Sequence, residues 1–437
     1  MQAIDTLIHA EWVLPVEPAE TVLENHAVAI HDGLIVELLP SSQAKGRYQA
    51  THTFNLSHHA ITPGLINAHT HTAMSLLRGV ADDLPLMTWL QEHIWPAEQK
   101  WVSEHFVRDG SELAIAEMLR SGTTCFNDMY FFPEVTAHAA AQCGIRAVIG
   151  LIIIDFPTAW GTGPDEYLEK GITLHDQYRN SPHIHTAFAP HAPYTVSDQP
   201  LKRIQVLAEE LGLPIHMHIH ESLHEIEEAV AQSGMRPLQR LDELGLLGPQ
   251  LAAAHMTQLT DREIELLAER SVSVVHCPES NLKLASGFCP VDKLIKAGVN
   301  VALGTDSAAS NNDLDMLGEM RTAALLSKGV SMDPTSLSAH QVLKMATLSG
   351  AEALGLDKIT GSLLPGKAAD LIAIDLSALE THPVYNVASQ IIYAANRNQV
   401  REVWVNGEHL LRGGELVTLD QEKLKQQATE WQGKIDA

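Results

Sequence analysis

The sequence predicts an α/β fold, a (β/α)8 TIM-like barrel with a small β-sandwich domain formed by both chain ends. Eight short apolar runs recur from about residue 60 onward, and stretches with helical periodicity separate them, as in a βα repeat. Seven of these runs end in, or include near their end, a histidine or an aspartate. Because barrel enzymes place their chemistry at the carboxyl ends of the strands, this pattern indicates a catalytic face.

The eight runs are the predicted barrel strands. They cover residues 60–71, 122–128, 146–153, 183–191, 213–218, 251–255, 272–278 and 299–306. Helical patterns lie between them, for example at 201–211 and 260–270. The second of these patterns begins with Thr260 and Glu263 in the positions of a capping box, which predicts a helix start.

Both flanks of this repeat are predicted to be β structure. Residues 27–39 and 369–376 alternate or run apolar around turn residues such as Asp32-Gly33 and Pro365-Gly366. We interpret the flanks as one small composite β domain, residues 1–59 and 365–437, which accompanies a barrel at 60–364.

Composition and charge argue against several kinds of partner. The chain has 437 residues, of which 45% are hydrophobic, and a formal net charge of −25. An acidic surface repels phosphate backbones and anionic headgroups, so we expect neither nucleic acid nor a membrane as a partner. The first fifteen residues lack a basic n-region, and no apolar run has spanning length. We expect a cytoplasmic homo-oligomer that binds a small molecule.

Two histidines in the first run are candidate metal ligands. His69 and His71, in PGLINAHTHTAMSLLRG, are two residues apart on a strand and therefore project from the same face. The spacing alone is a weak signal, because the chain has 24 histidines. Three motifs at other predicted strand ends strengthen it, namely HMHIHES, AAAHMT and VALGTDSAASNND. Imidazoles with one carboxylate suit zinc or ferrous iron, and an open position for water suits hydrolysis.

Together these motifs resemble the amidohydrolase superfamily and, within it, the methylthioadenosine/S-adenosylhomocysteine deaminase and chlorohydrolase group, over essentially the whole chain. The resemblance implies one divalent metal, zinc with iron as the alternative, held by His69, His71, His218 and Asp306. Strand spacing does not choose among His216, His218 and His220. The family's His-x-x-Glu pattern selects His218 and places Glu221 beside it. The fourth predicted strand has no lysine to bridge two metals, which favours a single ion.

The same resemblance implies three catalytic roles. A divalent metal lowers the pKa of bound water, and Asp306 would accept the proton as the oxygen attacks the amino-bearing carbon of the ring. Glu221 would deliver a proton to the adjacent ring nitrogen. His255 would hydrogen-bond the attacking oxygen. The implied reaction is the hydrolytic deamination of an adenine nucleoside.

The resemblance also implies substrate contacts in addition to Glu221 and Asp306. Trp89 would form part of the pocket wall, and Glu98 would accept hydrogen bonds from the ribose hydroxyls. Such a carboxylate acceptor discriminates strongly against deoxy analogues. His191, in APHAPYT, would contact the sugar or the ring, and Ser310 would line the site.

The substrate tail is predicted from a departure from the family pattern. Members that accept S-adenosylhomocysteine have an arginine shortly after GIRA, whereas residues 149–152 are Ile-Gly-Leu-Ile here. Apolar residues favour a short thioether, so we expect conversion of 5′-methylthioadenosine to 5′-methylthioinosine, with adenosine a second substrate and S-adenosylhomocysteine a weak one. A neighbouring subunit or one of three other arginines could supply the cation instead: Arg78, Arg146 and Arg179.

Two alternatives stay open. The first is another deaminase or chlorohydrolase of the same superfamily, acting on guanine, pterin or triazine rings. The second is a non-catalytic metal-binding barrel, which the joint presence of Glu221 and His255 with the ligand set argues against.

Overall fold

A computed structural model of the chain describes residues 1–436 and contains two eight-stranded sheets. The chain begins in the first sheet with four strands, β1 (Gln2–Val13), β2 (Leu23–His31), β3 (Leu34–Pro40) and β4 (Tyr48–Pro63). Strand β1 pairs antiparallel with β2 and parallel with β4. Polar and apolar positions alternate along much of β4, as expected for a strand with one exposed face.

The second sheet is the barrel, and its prediction is confirmed. Its eight consecutive parallel strands are β5 (Leu65–Thr70), β6 (Thr123–Asp128), β7 (Arg146–Ile153), β8 (Ile184–Pro190), β9 (Ile215–Ile219), β10 (Leu251–His255), β11 (Ser273–His276) and β12 (Val301–Leu303). The Asp306 N–H donates to the His69 carbonyl at 2.9 Å, which joins the segment after β12 to β5. Gly304 permits this approach, because a Cβ there would meet the His69 backbone nitrogen at 2.8 Å.

The last four strands return to the first sheet. They are β13 (Leu371–Asp375), β14 (Val400–Val405), β15 (Glu408–Arg412) and β16 (Glu415–Leu416), and β13 pairs antiparallel with β4. The strand order is β16-β15-β14-β13-β4-β1-β2-β3. Leu34 at the β3 edge bridges Ala368 before β13, so the sheet folds over a core of its own. The predicted β structure built from both chain ends is confirmed.

One strand prediction is wrong in its boundary. The run 60–71, predicted as one barrel strand, contains the end of β4 and all of β5. Gly64 separates them, and its N–H donates to the Asp370 carbonyl at 3.0 Å. A Cβ at Gly64 would lie 2.0 Å from the Thr124 hydroxyl oxygen, so only glycine fits where the chain passes from one sheet to the other.

Helices follow most barrel strands, and those predicted at 201–211 and 260–270 are present with the capping box of Thr260 and Glu263. The α-helices are α1 (Ser41–Arg47), α2 (Leu86–Thr88), α3 (Trp95–Trp101), α4 (Glu104–Arg120), α5 (Pro133–Cys143), α6 (Pro164–Tyr178), α7 (Asp198–Leu211), α8 (Leu223–Ser233), α9 (Pro237–Glu243), α10 (Asp261–Arg270), α11 (Pro278–Lys283), α12 (Val291–Lys296), α13 (Met316–Ser331), α14 (Ala339–Met345), α15 (Leu348–Ala353), α16 (Val387–Tyr393) and α17 (Gln421–Ile435). A π-helix, Trp89–Ile94, joins α2 to α3, and short 3-10 helices cover Thr72–Leu77, Leu379–Thr381 and Arg397–Gln399.

Within residues 1–436, no helix is both long enough and apolar enough to cross a membrane.

Two late helices pack on helices of the barrel. Helix α16 contacts α13 and α14, and α17 contacts α4. The Trp431 indole N–H donates to Asp109 at 2.9 Å, and its ring packs edge-on against Phe106. The domain boundaries 1–59, 60–364 and 365–437 stay a prediction, and these contacts attach part of the last range to the barrel.

Candidate functional site

The carboxyl ends of the barrel strands surround a cavity of about 690 Å³. A small-molecule site typically has this size and a mostly apolar wall. The segment from α2 through α3 covers one side of the cavity. Five of the residues that the sequence predicted as metal ligands or catalytic groups line it, namely His71, His218, Glu221, His255 and Asp306. His69 is fully buried next to them.

Three residues at these strand ends have a strained backbone. His220, His255 and Asp306 have φ angles of 54°, 74° and 60°, in the left-handed region that residues other than glycine seldom adopt. Each such residue costs of the order of 1–3 kcal/mol and persists only where surrounding contacts impose it. Three of them at one end of the barrel indicate a functional face.

The predicted ligands form one compact cluster. The Oδ1 atom of Asp306 lies 3.4 Å from His69 Nε2 and 3.3 Å from His71 Nε2, and His218 Nε2 lies 3.3 Å from His71 Nε2. One nitrogen from each of these three histidines lies within 4.8 Å of the others, and His69, His255 and Asp306 form an overlapping group. These side chains are close enough to share an ion.

The donor atoms fit a divalent metal. His69 Nε2 is buried and has no hydrogen-bond partner among the described residues, which is costly unless a ligand satisfies it. The Nδ1 atoms of His71 and His218 donate to the carbonyls of Met129 at 2.5 Å and His191 at 2.8 Å. These bonds leave the Nε2 lone pairs of both rings free, as in metal-binding histidines. The chemistry of the cluster therefore suits a divalent metal.

The two other histidines of HMHIHES have different surroundings. His216 lies between His69 Nδ1 and Asn127 Nδ2, at 2.9 Å from each. His220 accepts the Leu238 N–H at 3.2 Å through Nε2. Of the three histidines in the motif, His218 is the one that lines the cavity.

Glu221 and His255 lie side by side next to the cluster. The Oε2 atom of Glu221 is 4.0 Å from His255 Nε2. His255 Nδ1 donates to the Asn281 amide oxygen at 2.9 Å, which leaves Nε2 as an acceptor. Burial raises the pKa of Glu221 above its usual value, so the carboxyl group can retain a proton closer to neutral pH.

Two serines fix the carboxylate of Asp306. Its Oδ2 atom accepts hydrogen bonds from Ser280 at 2.6 Å and from Ser310 at 2.8 Å. Ser310, predicted to line the site, is not among the residues that line the cavity. It donates its hydrogen bond to Asp306 from the side away from the cavity, and Ser307 lines the cavity wall. A sequence motif does not tell which side of a turn faces a ligand, so the hydrogen bond from Ser310 to Asp306 was not part of the prediction.

The other predicted substrate residues all line the same cavity. The Tyr130 hydroxyl donates to Glu98 Oε1 at 2.8 Å, and burial raises the pKa of Glu98 to about 7. Trp89, in the π-helix, is buried in the wall. His191 Nδ1 lies 3.0 Å from Thr195 Oγ1, and burial lowers the pKa of His191 to about 3, so its ring is neutral.

Three residues around the site were not predicted: Tyr130, Ser280 and Asn281. Tyr130 follows the end of β6 by two residues, and the two others lie in CPESN directly after β11. Their place after a barrel strand is the signal that could have identified them. Asp128, at the end of β6, has a structural contact instead, because it accepts the Thr72 N–H at 2.7 Å.

The cavity wall near β7 is apolar. Ile152, Ile154 and Phe156 line it, whereas Ile149 and Leu151 are packed in the core of the barrel. Within the described residues, neither an arginine nor a lysine lines the cavity.

The three arginines that could have supplied a cation are engaged elsewhere. Arg78 pairs with Glu117, and Arg146 pairs with Asp370 at 2.8 Å. Arg179 lines a separate hollow near the start of β8. The described chain therefore offers neither an arginine nor a lysine to a carboxylate in this cavity.

The parallel barrel and the histidine–aspartate cluster beside buried acidic groups define a metal-dependent hydrolase. The model of the amidohydrolase family matches residues 60–410, and the chain belongs to this family. The family resemblance drawn from the sequence motifs is thus confirmed.

Relatives cover nearly the whole chain. The chain is similar to the 5-methylthioadenosine/S-adenosylhomocysteine deaminase of Saccharophagus degradans, with 53% identity over 433 residues, 99% of this chain and 97% of that protein. It is similar to a crystal structure of an adenosine deaminase from Xanthomonas campestris with bound zinc, with a TM-score of 0.99 and 55% identity over 100% of this chain and 99% of the other. The atrazine chlorohydrolase of Arthrobacter aurescens complexed with zinc, 24% identical with a TM-score of 0.89 over 98% of this chain and 99% of its own, shares the fold.

Proposed function

We propose that this protein catalyses the hydrolytic deamination of an adenine nucleoside. Its preferred substrate is 5′-methylthioadenosine, which yields 5′-methylthioinosine and ammonia, while adenosine is a second substrate and S-adenosylhomocysteine a weak one. The main observation is that one mostly apolar cavity brings Glu221 and the histidine cluster together with the partly buried side chain of Glu98. The names of the relatives, a methylthioadenosine/S-adenosylhomocysteine deaminase and an adenosine deaminase, support the same reaction.

One zinc ion per chain completes the proposed site, with iron as the alternative metal. The ligands are His69, His71, His218 and Asp306. When bound, the metal acts as a Lewis acid that lowers the pKa of water toward neutrality. The unpartnered His69 Nε2 and the zinc in the similar adenosine deaminase support this assignment. Strand β8 contains no lysine that could bridge a second ion.

The residues of the chain divide the proton transfers between them. Asp306 accepts a proton from the attacking water and passes it to the departing amino group, which leaves as ammonia, and the hydroxyl groups on the Asp306 Oδ2 atom keep the carboxylate oriented. Glu221 donates a proton to the ring nitrogen beside the amino-bearing carbon, and its raised pKa suits a donor. His255 accepts a hydrogen bond from the attacking water through Nε2, because its Nδ1 is bonded to Asn281.

The rest of the cavity selects the nucleoside. Glu98 accepts the ribose hydroxyls while Tyr130 holds its other oxygen, and Trp89 and His191 pack around the sugar and the ring. The wall near β7 receives the methylthio group, whose burial contributes about 0.8 kcal/mol per methylene-sized unit. The charged homocysteine tail would lose hydration there without an ionic partner, at a cost of roughly several kcal/mol.

Steady-state kinetics on the metal-loaded protein tests the reaction. We expect kcat/KM for methylthioadenosine to equal or exceed that for adenosine, and both to be far above that for S-adenosylhomocysteine. Equal efficiency on the homocysteine conjugate would refute the assignment of the tail. Turnover of guanine, pterin or triazine rings in place of nucleosides would support the first alternative, and inactivity on the full panel would support the non-catalytic barrel.

Metal analysis tests the ligand assignment. Chelation should abolish activity, and one equivalent of zinc per chain should restore it. Two equivalents per active chain, or full activity after exhaustive chelation, would contradict a single-metal site.

Two further expectations belong to the proposal. The protein forms a homo-oligomer, which sedimentation equilibrium measures. It acts on a small molecule in the cytoplasm, and fractionation of the source cells tests this location.

A further inference from the structure

Glu225 makes two unusual contacts next to the proposed proton donor. It lies in the first turn of α8 and is 8% exposed. Its Oε1 atom accepts the His220 N–H at 3.1 Å, and its Oε2 atom accepts the Glu221 N–H at 2.8 Å. Both oxygens of this buried carboxyl group are therefore bonded to the backbone immediately after β9.

These contacts are not the ones that helix capping requires. Ser222 is the N-cap of α8 and accepts the Glu225 N–H, so Ser222 and Glu225 have the spacing of a capping box. In a capping box the glutamate bonds to the N-cap N–H, as Glu263 does to Thr260 at 2.8 Å at the start of α10. Glu225 instead bonds one and two residues further upstream, at Glu221 and His220.

The segment that Glu225 holds is strained and lies beyond the strand ladder. Strand β9 ends at Ile219, and His220 has a left-handed φ of 54°. On the other side, the Thr257 hydroxyl donates to the Glu221 carbonyl at 2.7 Å. Side chains from α8 and from the loop after β10 thus bond the N–H and the carbonyl of Glu221, and these bonds offset the strain.

We propose that Glu225 is a positioning residue that fixes the backbone of Glu221, and with it the distance from the Glu221 carboxyl group to the substrate ring. This inference rests on the proposed function, because it takes Glu221 as the proton donor. Proton transfer requires hydrogen-bond reach, and a misplacement of about 1 Å in an active site can cost about 10²-fold in rate.

The variant Glu225→Gln tests the role while keeping the shape of the side chain. Its amide group presents N–H to one of the two backbone N–H donors, so one hydrogen bond is replaced by repulsion. We expect kcat to fall by about 10- to 100-fold, KM to stay within about threefold, and the metal content to be unchanged. The matched control is Glu227→Gln, an exposed position on the same helix, which should keep native kcat.

A double-mutant cycle separates positioning from a general structural role. If Glu225 acts through Glu221, adding Glu225→Gln to Glu221→Gln should reduce kcat by less than about threefold further. Equal factors in both backgrounds would overturn the inference, and so would native kcat in Glu225→Gln alone. Near-native turnover of Glu221→Gln itself would instead show that the proposed function is wrong.

A second variant decides the matter if Glu225→Gln does not fold. Thr257→Val removes the other side-chain bond to the Glu221 backbone, together with the longer contacts of the same hydroxyl to the Ser286 and His220 carbonyls, and preserves the side-chain volume. Its kcat should fall, and the loss should disappear in the Glu221→Gln background. Native kcat, or the same loss in both backgrounds, would overturn the inference.

Discussion

At the scale of single residues, Glu221 is the group on which the proposed chemistry depends most directly. Glu221→Gln keeps the shape of the side chain but cannot donate a proton, so kcat should fall by roughly 10²-fold or more. The metal should stay bound, because Glu221 is not among the four proposed ligands. Stopped-flow turnover together with metal analysis of the same sample measures both. A loss of metal in parallel with activity would assign Glu221 to the ligand set instead.

Glu98 offers a second prediction, because one of its oxygens is held by Tyr130 and the other is left to accept a ribose hydroxyl. Glu98→Ala should lower kcat/KM for adenosine by about 10²-fold or more, but should have little effect on an analogue that lacks both ribose hydroxyls. The readout is the ratio of kcat/KM for the two nucleosides in each variant.

Glu92→Ala is the control for this ratio, because Glu92 is exposed on the π-helix that directly precedes α3, the helix of Glu98. It should leave the preference for the diol unchanged. An equal loss on both nucleosides in Glu98→Ala would show that Glu98 supports the pocket without contacting the sugar.

The sequence located much of the site because chemistry in a parallel barrel is restricted to the strand ends. His71 and Glu98 line the cavity as expected. The contacts of Ser310 and Tyr130 could not be predicted from the sequence for one reason, namely that each residue bonds to another side chain, Asp306 or Glu98, and such a contact leaves no local pattern. Glu225 escaped notice because its spacing from Ser222 is that of an ordinary capping box.

At the scale of single elements, the start of α10 provides a test of stability that is independent of catalysis. Thr260 and Glu263 exchange both capping-box bonds. Thr260→Ala should lower the free energy of unfolding by about 1 kcal/mol and leave kcat unchanged. Thr173→Ala is the control, because Thr173 is exposed within α6 and bonds only to the Glu169 carbonyl. Equal stability of Thr260→Ala and wild type would contradict the predicted contribution of the cap.

The element boundaries show where sequence patterns lose information. The run 60–71 shows no alternation of buried and exposed positions because the end of β4 and all of β5 are buried, so periodicity contains no mark of the change of sheet. Gly64 is the only local sign, and its need arises from Thr124 on the next barrel strand. Strand β12 is three residues long within the run 299–306, because the chain leaves the ladder at Gly304 to reach His69.

At the scale of the whole molecule, the two sheets meet through a buried ion pair. Arg146 begins β7 of the barrel, and Asp370 directly precedes β13 of the sheet built from both chain ends. The guanidinium Nε lies 2.8 Å from Asp370 Oδ2, and both side chains are almost completely buried. Asp370 also accepts the Asn406 N–H at 2.7 Å, so it connects the barrel to two segments of the other sheet.

Removal of the carboxylate should therefore destabilise the whole molecule. Asp370→Asn leaves the charge of Arg146 buried without a partner, and we expect the free energy of unfolding at pH 7 to fall by about 3–5 kcal/mol. Chemical denaturation followed by far-UV circular dichroism measures it. Asp357→Asn, which changes a partly exposed aspartate, is the control and should stay within about 0.5 kcal/mol of wild type.

The stability loss in Asp370→Asn should also depend on pH. Burial alone would raise the pKa of Asp370, but the charge and hydrogen bonds of Arg146 outweigh it and hold the pKa below its usual value. A carboxyl group with a depressed pKa in the folded state stabilises the fold above its unfolded pKa, about 3.9, and this contribution disappears as the pH falls through the folded pKa. The stability difference between wild type and Asp370→Asn should thus be constant from pH 7 to about pH 5 and should shrink below about pH 4. A difference that grows on acidification would show that Arg146 does not stabilise the ionised form of Asp370.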